Sequence, residues 1–304
     1  MEHYHTDSAF TIGTSHAATG KPCQDFALAH TFDGFAYAVV SDGCSSGGIT
    51  DVGARLVGLT TATAIRAHHQ RIPLITQATH EQIERIRLKA LRSVQAELEL
   101  TRNDMLATSL YAYLSASEGC VVVQGDGVVA LSYTDGTVEL HRFEWPHNMP
   151  FYPIYIDEGL KGFIQAHGGK LNDPVLTHET WICSRDTQPR LQDTRVRSLA
   201  EGIHGVALPI NALTLLQLDF ITIFSDGVMQ VHDLDWKIAT LRLLAFKNTN
   251  GTFAKRRMNR FIEDARRTRR EPMDDIAFAV IHAGHPQQQK DANRGDYEEH
   301  QGDA

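Results

Sequence analysis

The chain has 304 residues, 42% of them hydrophobic and 22% charged, with a formal net charge of −8. That length and apolar fraction suffice to bury a sizeable core, while the acidic balance excludes the basic footprint a nucleic-acid partner would need. No apolar run reaches the ~18 residues that a membrane helix requires, and the start MEHYHTDSAF lacks the basic and apolar regions of a signal peptide.

In chain order, alternation over 8–14 and the apolar runs 26–32 and 35–41 read as strands, the last two joined by Asp33-Gly34, a hairpin signal. Helices are expected over 49–69, with Val52, Leu56, Leu59 and Thr63 on one stripe, and over 80–100, with Ile83, Ile86, Ala90, Val94 and Leu98 likewise; Pro73 separates them. Strands return at 108–115, 119–125, 128–134 and 137–143, the last pair joined by Asp135-Gly136. The stretch 144–173, rich in Pro, Gly, Tyr and Asn, reads as an irregular excursion over a sheet edge near the site. Further strands are expected at 177–184, 205–208, 219–225 and 276–282, and helices at 236–246 and 252–269. The arginine-rich pattern in the second helix reads as a solvated amphipathic face. The polar tail 284–304 is expected to be disordered.

Hairpins interrupted by helix pairs imply an α+β fold, helices packed on antiparallel sheets, in a single domain over 1–283. Cys23, Cys44, Cys120 and Cys183 form no CxxC pair and read as reduced thiols, which together with the absence of a leader places the protein in the cytoplasm. His3, His5, His68 and His69 have no acids at metal-ligand spacing and read as surface residues.

Asp-Gly occurs five times, beginning at 33, 42, 126, 135 and 226. Turn chemistry accounts for 33 and 135, each between two strands. At 42 and 226 the pair ends an apolar run (FAYAVVS, FITIFS) as Ser-Asp-Gly. An aspartate at a strand end puts a carboxylate on a stiff support at a sheet rim, with an approachable glycine carbonyl beside it. Hard divalent cations take such oxygens. Asp274-Asp275, just before the strand IAFAVIH, supplies a third acidic position.

The order of these pieces carries a resemblance. Gly13-Thr-Ser-His16, then Gly20-Lys-Pro-Cys-Gln24-Asp25, then Ser41-Asp42-Gly43-Cys44-Ser45-Ser46 resembles the opening of the metal-dependent protein phosphatases, the PPM or type 2C family, in its bacterial branch. Gly125-Asp126-Gly127, Ser225-Asp226-Gly227 and Asp274-Asp275-Ile276 resemble its later motifs, so the likeness spans about 10–282. The resemblance implies two stacked antiparallel sheets flanked by helices, an αββα sandwich, with two Mn²⁺ or Mg²⁺ ions at one edge. It implies that Asp42 bridges both ions, that the Gly43 carbonyl binds one, and that Asp226 and Asp274 hold the other, with Asp275 a further metal-site carboxylate. Asp25 would orient the attacking water, and Asp126 would lie at the rim where some relatives bind a third ion. The implied activity is hydrolysis of phosphoserine or phosphothreonine on a protein substrate, opposing a Ser/Thr kinase, by water activated at the metals.

Four positions depart from that pattern: Gln24 stands where many relatives have an acid, Cys44 where eukaryotic relatives have a histidine, about Gly20 where they have a phosphate-binding arginine, and Asp275 where asparagine is common. His16 is the candidate replacement acid and Lys21 the candidate replacement cation. The alternatives are a phosphatase-like binding module with little turnover and a phosphatase of a small phosphorylated metabolite.

Overall fold

The computed structural model describes residues 4–71, 79–184 and 188–284. Strand β1 (His5–Thr11) leads through a short helix α1 (Thr14–Thr19) into the hairpin β2 (Asp25–Phe32) and β3 (Phe35–Asp42). Asp33 and Gly34 both take positive φ, 48° and 74°, as a primed two-residue turn demands. Helices α2 (Thr50–Arg71) and α3 (Thr79–Glu97) follow, then β4 (Ser109–Leu114), β5 (Gly119–Gln124), β6 (Gly127–Tyr133) and β7 (Val138–Glu144). After α4 (Leu160–Ala166) come β8 (Pro174–Cys183), β9 (Arg190–Ser198), α5 (Leu199–His204), β10 (Val206–Ile210), α6 (Ala212–Gln217) and β11 (Leu218–Phe224). Helices α7 (Trp236–Leu243) and α8 (Phe253–Thr268) precede the final strand β12 (Ile276–His282).

The strands form a seven-stranded sheet in the order β1-β12-β11-β6-β7-β8-β9 and a five-stranded sheet in the order β10-β5-β4-β3-β2. Every pairing is antiparallel. Because side chains alternate across a strand, each strand serves two layers. Ala36, Ala38 and Val40 of β3 join Ala277, Ala279 and Ile281 of β12 in the core between the sheets. Phe35, Tyr37 and Val39 instead meet α2 and α3, while Ile276, Phe278 and Val280 meet α7 and α8. The result is the expected α+β sandwich of two antiparallel sheets flanked by helices. Helix α8 buries Phe253, Met258 and Phe261 and leaves its arginines outward, as its pattern predicts.

Several expectations need correcting. The buried face of α2 is not Val52, Leu56, Leu59 and Thr63: Leu59 is 50% exposed, and Ala54, Val57, Ala64 and Ile65 pack inward. Small residues win because the helix lies close to its neighbours. A Cβ on Gly53 would fall 2.0 Å from the Asp104 carbonyl oxygen. On α3 the buried positions are Ile83, Arg87, Leu88 and Leu91, not Ala90, Val94 and Leu98. Strand β9 was missed because RLQDTRVRS has no apolar alternation, as befits a largely exposed edge strand. Short helices α1, α4, α5 and α6 likewise have no expected counterpart, α4 standing inside the stretch expected to be irregular, and β1 ends at Thr11 rather than 14 because Thr14 starts α1. His68 is buried and His69 stacks on Phe35 at 3.9 Å between ring centroids, so neither is a plain surface residue. Pro73 and residues 285–304 of the tail lie outside the described residues.

Arg87 explains the displaced stripe. At 1% exposure it donates to Ser109 Oγ (3.0 Å) and Gln124 Oε1 (2.6 Å), with Glu84 at 3.5 Å. Gln124 in turn donates to Glu84 and to the Ile203 carbonyl, so one guanidinium ties α3 to β4, β5 and α5. Arg87→Ala should strand these partners and cost about 3–5 kcal/mol, read as a lower denaturation midpoint in urea with an unchanged slope. A midpoint within error of wild type would show that the network is not structural.

Candidate active site

Strand parity builds the site. Asp25 and Asp42 face each other directly across the β2–β3 ladder, on the side that carries Ala27, Ala38 and Val40 into the inter-sheet core. On the other sheet, Ser225 and Asp275 continue the inward-facing rows of Ile221-Ile223 and Ala277-Ala279. The four therefore meet at one end of the sandwich. The Ser225 hydroxyl donates to Asp25 Oδ2 at 2.6 Å, joining the two sheets. The Asp42 backbone is held on both sides by Thr108, whose hydroxyl accepts from the Asp42 N–H (3.0 Å) and whose N–H donates to the Asp42 carbonyl (2.8 Å).

Asp275 lies deepest, at 1% exposure. Its Oδ1 accepts from the Gly13 N–H (2.7 Å), and its Oδ2 accepts from the Gln24 N–H (2.6 Å) and pairs with His16 Nδ1 (2.9 Å). Two glycines make room. A Cβ on Gly13 would sit 2.2 Å from the Asp274 carbonyl carbon, and one on Gly227 would sit 1.7 Å from the Asp275 carbonyl oxygen. On the far side of the imidazole, His16 Nε2 meets Ser45 Oγ at 3.0 Å. With Asp275 accepting at Nδ1, the neutral ring accepts the Ser45 proton at Nε2. A hydrogen-bonded line thus runs from a buried carboxylate to the surface of a cleft.

That cleft, about 210 Å³, is lined by Asp42, Asp126, Asp226 and Asp274, by loop 43–46, and by Asn148, Pro150 and Tyr152. Among the described residues, no Lys or Arg lines it. Burial pushes the carboxyls of Asp25, Asp42, Asp126 and Asp226 above the usual carboxylate range, and neighbouring aspartates add to the rise. Asp42 and Asp226 are within hydrogen-bonding reach of each other. Gln230 Nε2 links Asp226 (3.0 Å) to Asp274 (3.1 Å). Ligand atoms of His16, Asp274 and Asp275 also lie within 4.8 Å of one another, a grouping that could hold a metal ion. Hard oxygen donors crowded together without a cationic side chain suit a divalent cation.

The structure brings Asp42, Gly43, Asp126, Asp226 and Asp274 to one cleft and sets Asp25 and Asp275 behind it. His16 sits on α1 rather than in a loop, and is buried. Lys21 does not line the cleft; its ammonium donates to the Ser45 carbonyl at 2.8 Å. Ser45, Ser225 and Gln230 were not singled out from the sequence, although Ser45 and Ser225 stand inside the Asp-Gly motifs and Gln230 follows Asp226 at the i+4 spacing of one helical turn. Nothing local marks Asn148 and Tyr152 beyond their place in the irregular stretch.

A profile described as Protein phosphatase 2C matches residues 12–272. No curated protein matches the sequence. Among solved structures, the serine/threonine phosphatase Stp1 from Staphylococcus aureus is 13% identical with a TM-score of 0.52, over 94% of this chain and 96% of that one. A bacterial serine phosphatase is 14% identical with a TM-score of 0.51, over 93% and 99%. The S. agalactiae serine/threonine phosphatase is 13% identical with a TM-score of 0.50, over 92% and 100%. At such identities the structural likeness speaks for the fold, whereas the profile spans most of the sequence: the chain belongs to the protein phosphatase 2C family.

Proposed function

We propose that this phosphatase hydrolyses phosphoserine and phosphothreonine on proteins and depends on Mn²⁺ or Mg²⁺. The observation that carries the reading is the convergence of Asp42, Asp126, Asp226 and Asp274 on one cleft whose described lining residues include no Lys or Arg. Asp42, Asp226, Asp274 and the Gly43 carbonyl would hold the ions, two per chain, with Asp126 the position for a third. When bound, such ions make water a nucleophile at neutral pH and neutralise charge on phosphoryl oxygens. Asp275 belongs to the group that could hold an ion, and its oxygens also accept from Gly13 and Gln24 and pair with His16. It acts as the carboxylate that orients His16.

Asp25, fixed by Ser225, accepts a hydrogen bond from the attacking water and so aims it. His16, when protonated at Nε2, donates to Ser45 Oγ, and the Ser45 hydroxyl passes a proton to the oxygen of the departing serine or threonine. A cleft of about 210 Å³ admits a phosphoryl group on a short side chain. It is below the roughly 300–1,000 Å³ that encloses a drug-sized ligand, which weighs against a buried nucleotide. The Ser/Thr phosphatases that share the fold support the same substrate class. An opposing Ser/Thr kinase would supply that substrate, and four free cysteines fit the reducing cytoplasm. Among the described residues no helix is long and apolar enough to cross a membrane.

With a phosphothreonine peptide, turnover should require Mn²⁺ or Mg²⁺, stop with chelator, and fall on the order of 10³-fold or more in Asp226→Ala. No turnover from folded, cation-loaded wild type would leave a binding module instead. His16→Ala should lower kcat about 10²-fold on the peptide but far less on p-nitrophenyl phosphate, whose leaving group needs no proton. Equal losses on both substrates would remove His16 from proton transfer.

The raised carboxyls also set a pH dependence. A folded-state value above the unfolded one contributes stability that is complete below the unfolded value, about 3.9 for Asp, and is lost as pH rises through the folded value. In chelator, Asp226→Asn should therefore melt above wild type at about pH 7.5, with the gain fading toward about pH 4. Excess Mn²⁺ should reverse the order by stabilising wild type alone. A chelated variant that melts below wild type at the higher pH would contradict the repulsion argument.

A further inference from the structure

Part of the cleft lining comes from the connection between β7 and β8, which lies against α3. Tyr152, largely buried, lines the cleft together with Cys44. Its ring packs beside Tyr155 at 5.4 Å between centroids. Tyr152 and Ile154 share a buried cluster with Leu91 of α3 and Val57 of α2.

The next residue on α3, Arg92, grips the same connection. Its Nε and Nη2 donate to the two carboxylate oxygens of Asp157 as a bidentate fork. Exposed ion pairs usually contribute little, but fork geometry is the exception, and the Asp157 side chain is only 12% exposed. The pair borders a groove of about 720 Å³ that also runs between Gln95, Glu99, Ile156 and Glu158. At that groove the ion pair, not continuous packing, joins helix to connection. The gripped stretch is bounded by left-handed backbone: His147 (φ 60°) and Asn148 (φ 51°) at one end, Gly159 (φ 121°) at the other. Residues held in such conformations rely on their surroundings to keep them there.

We propose that Tyr152 is a substrate-contacting residue of this phosphatase and that Arg92, through Asp157, is the positioning residue that sets it. The inference rests on the phosphatase reading above. A cleft lined without Lys or Arg must meet a phosphoryl oxygen with neutral donors wherever metals do not. The Tyr152 phenol, in the cleft wall beside Asn148 and Pro150, is such a donor. A phenol is protonated at neutral pH and so serves as a donor.

The test compares wild type, Tyr152→Phe, Arg92→Ala, Arg92→Asp and the swap Arg92→Asp with Asp157→Arg. Kinetics with Mn²⁺ are measured on a phosphothreonine peptide, and amide hydrogen exchange is followed over 145–159. Tyr152→Phe and Arg92→Ala should each raise KM about 3–10-fold, the scale of one hydrogen bond, with kcat within about twofold. Exchange over 145–159 should quicken in Arg92→Ala and Arg92→Asp but not in Tyr152→Phe, and the swap should recover part of both readouts. An active Tyr152→Phe with wild-type KM overturns the contact. An active Arg92→Ala with unchanged KM or unchanged exchange overturns the positioning role. A wild type without turnover brings down the phosphatase reading itself and the Tyr152 role with it, while the exchange data still decide the clasp.

Discussion

The structure turns on one buried carboxylate. Asp275 accepts hydrogen bonds from the Gly13 and Gln24 backbones and pairs with His16. An ionised group removed from water is costly unless its oxygens are satisfied. Three donors satisfy this one, at about 1.5–3 kcal/mol for each bond to a charged group. Those donors come from the turn after β1, from α1 and from the start of β2, so a single side chain at the head of β12 gathers three separate segments. The close approach of Gly13 and Gly227 to the 274–275 backbone belongs to the same construction.

Around that anchor the other aspartates are arranged against their own interest. Asp25, Asp42, Asp126 and Asp226 are all driven toward the protonated form by burial, and each has a neighbouring aspartate that adds to the rise. A sheet rim that served only stability would not collect them. The fold carries the strain on stiff supports: Thr108 pins Asp42, Ser225 pins Asp25, and Gln230 spans Asp226 and Asp274. The side chains are thus held at fixed places rather than relaxing outward into water, which is the condition for pre-organised binding.

Much of this was legible in the sequence, for a physical reason. Strand-end Ser-Asp-Gly motifs are local, and period-two alternation shows which side of β3 and β12 an aspartate must face. The sandwich followed from hairpins alternating with helix pairs. What stayed hidden depends on distant partners. Arg87 occupies a core stripe only because Ser109 and Gln124 come from strands to meet it, and no helical pattern displays that. Leu59 looks like a core residue until α2 approaches its neighbours closely enough to bury alanines instead. Strand β9 exists because β8 offers it a ladder, not because its own residues alternate. The hydrogen bonds of Asp275 stayed hidden for a similar reason: which of two adjacent acids faces the cleft is settled by strand parity, but what meets the other is settled by α1 and by the residue before β2.

The sheet order has a consequence for how the protein comes into being. In the seven-stranded sheet, β1 pairs with β12, the first strand with the last. The aspartates divide the same way, with 25 and 42 near the beginning and 226, 274 and 275 near the end. On the ribosome the early half waits for nearly the whole chain before its partners emerge, so the acidic cluster assembles among the last long-range events of synthesis. Until then the early carboxylates are scattered along an unclosed chain, where a divalent cation finds no cage. A copy cut short before Asp274 would lack both acids, Asp274 and Asp275, and leave β1 without its ladder partner β12.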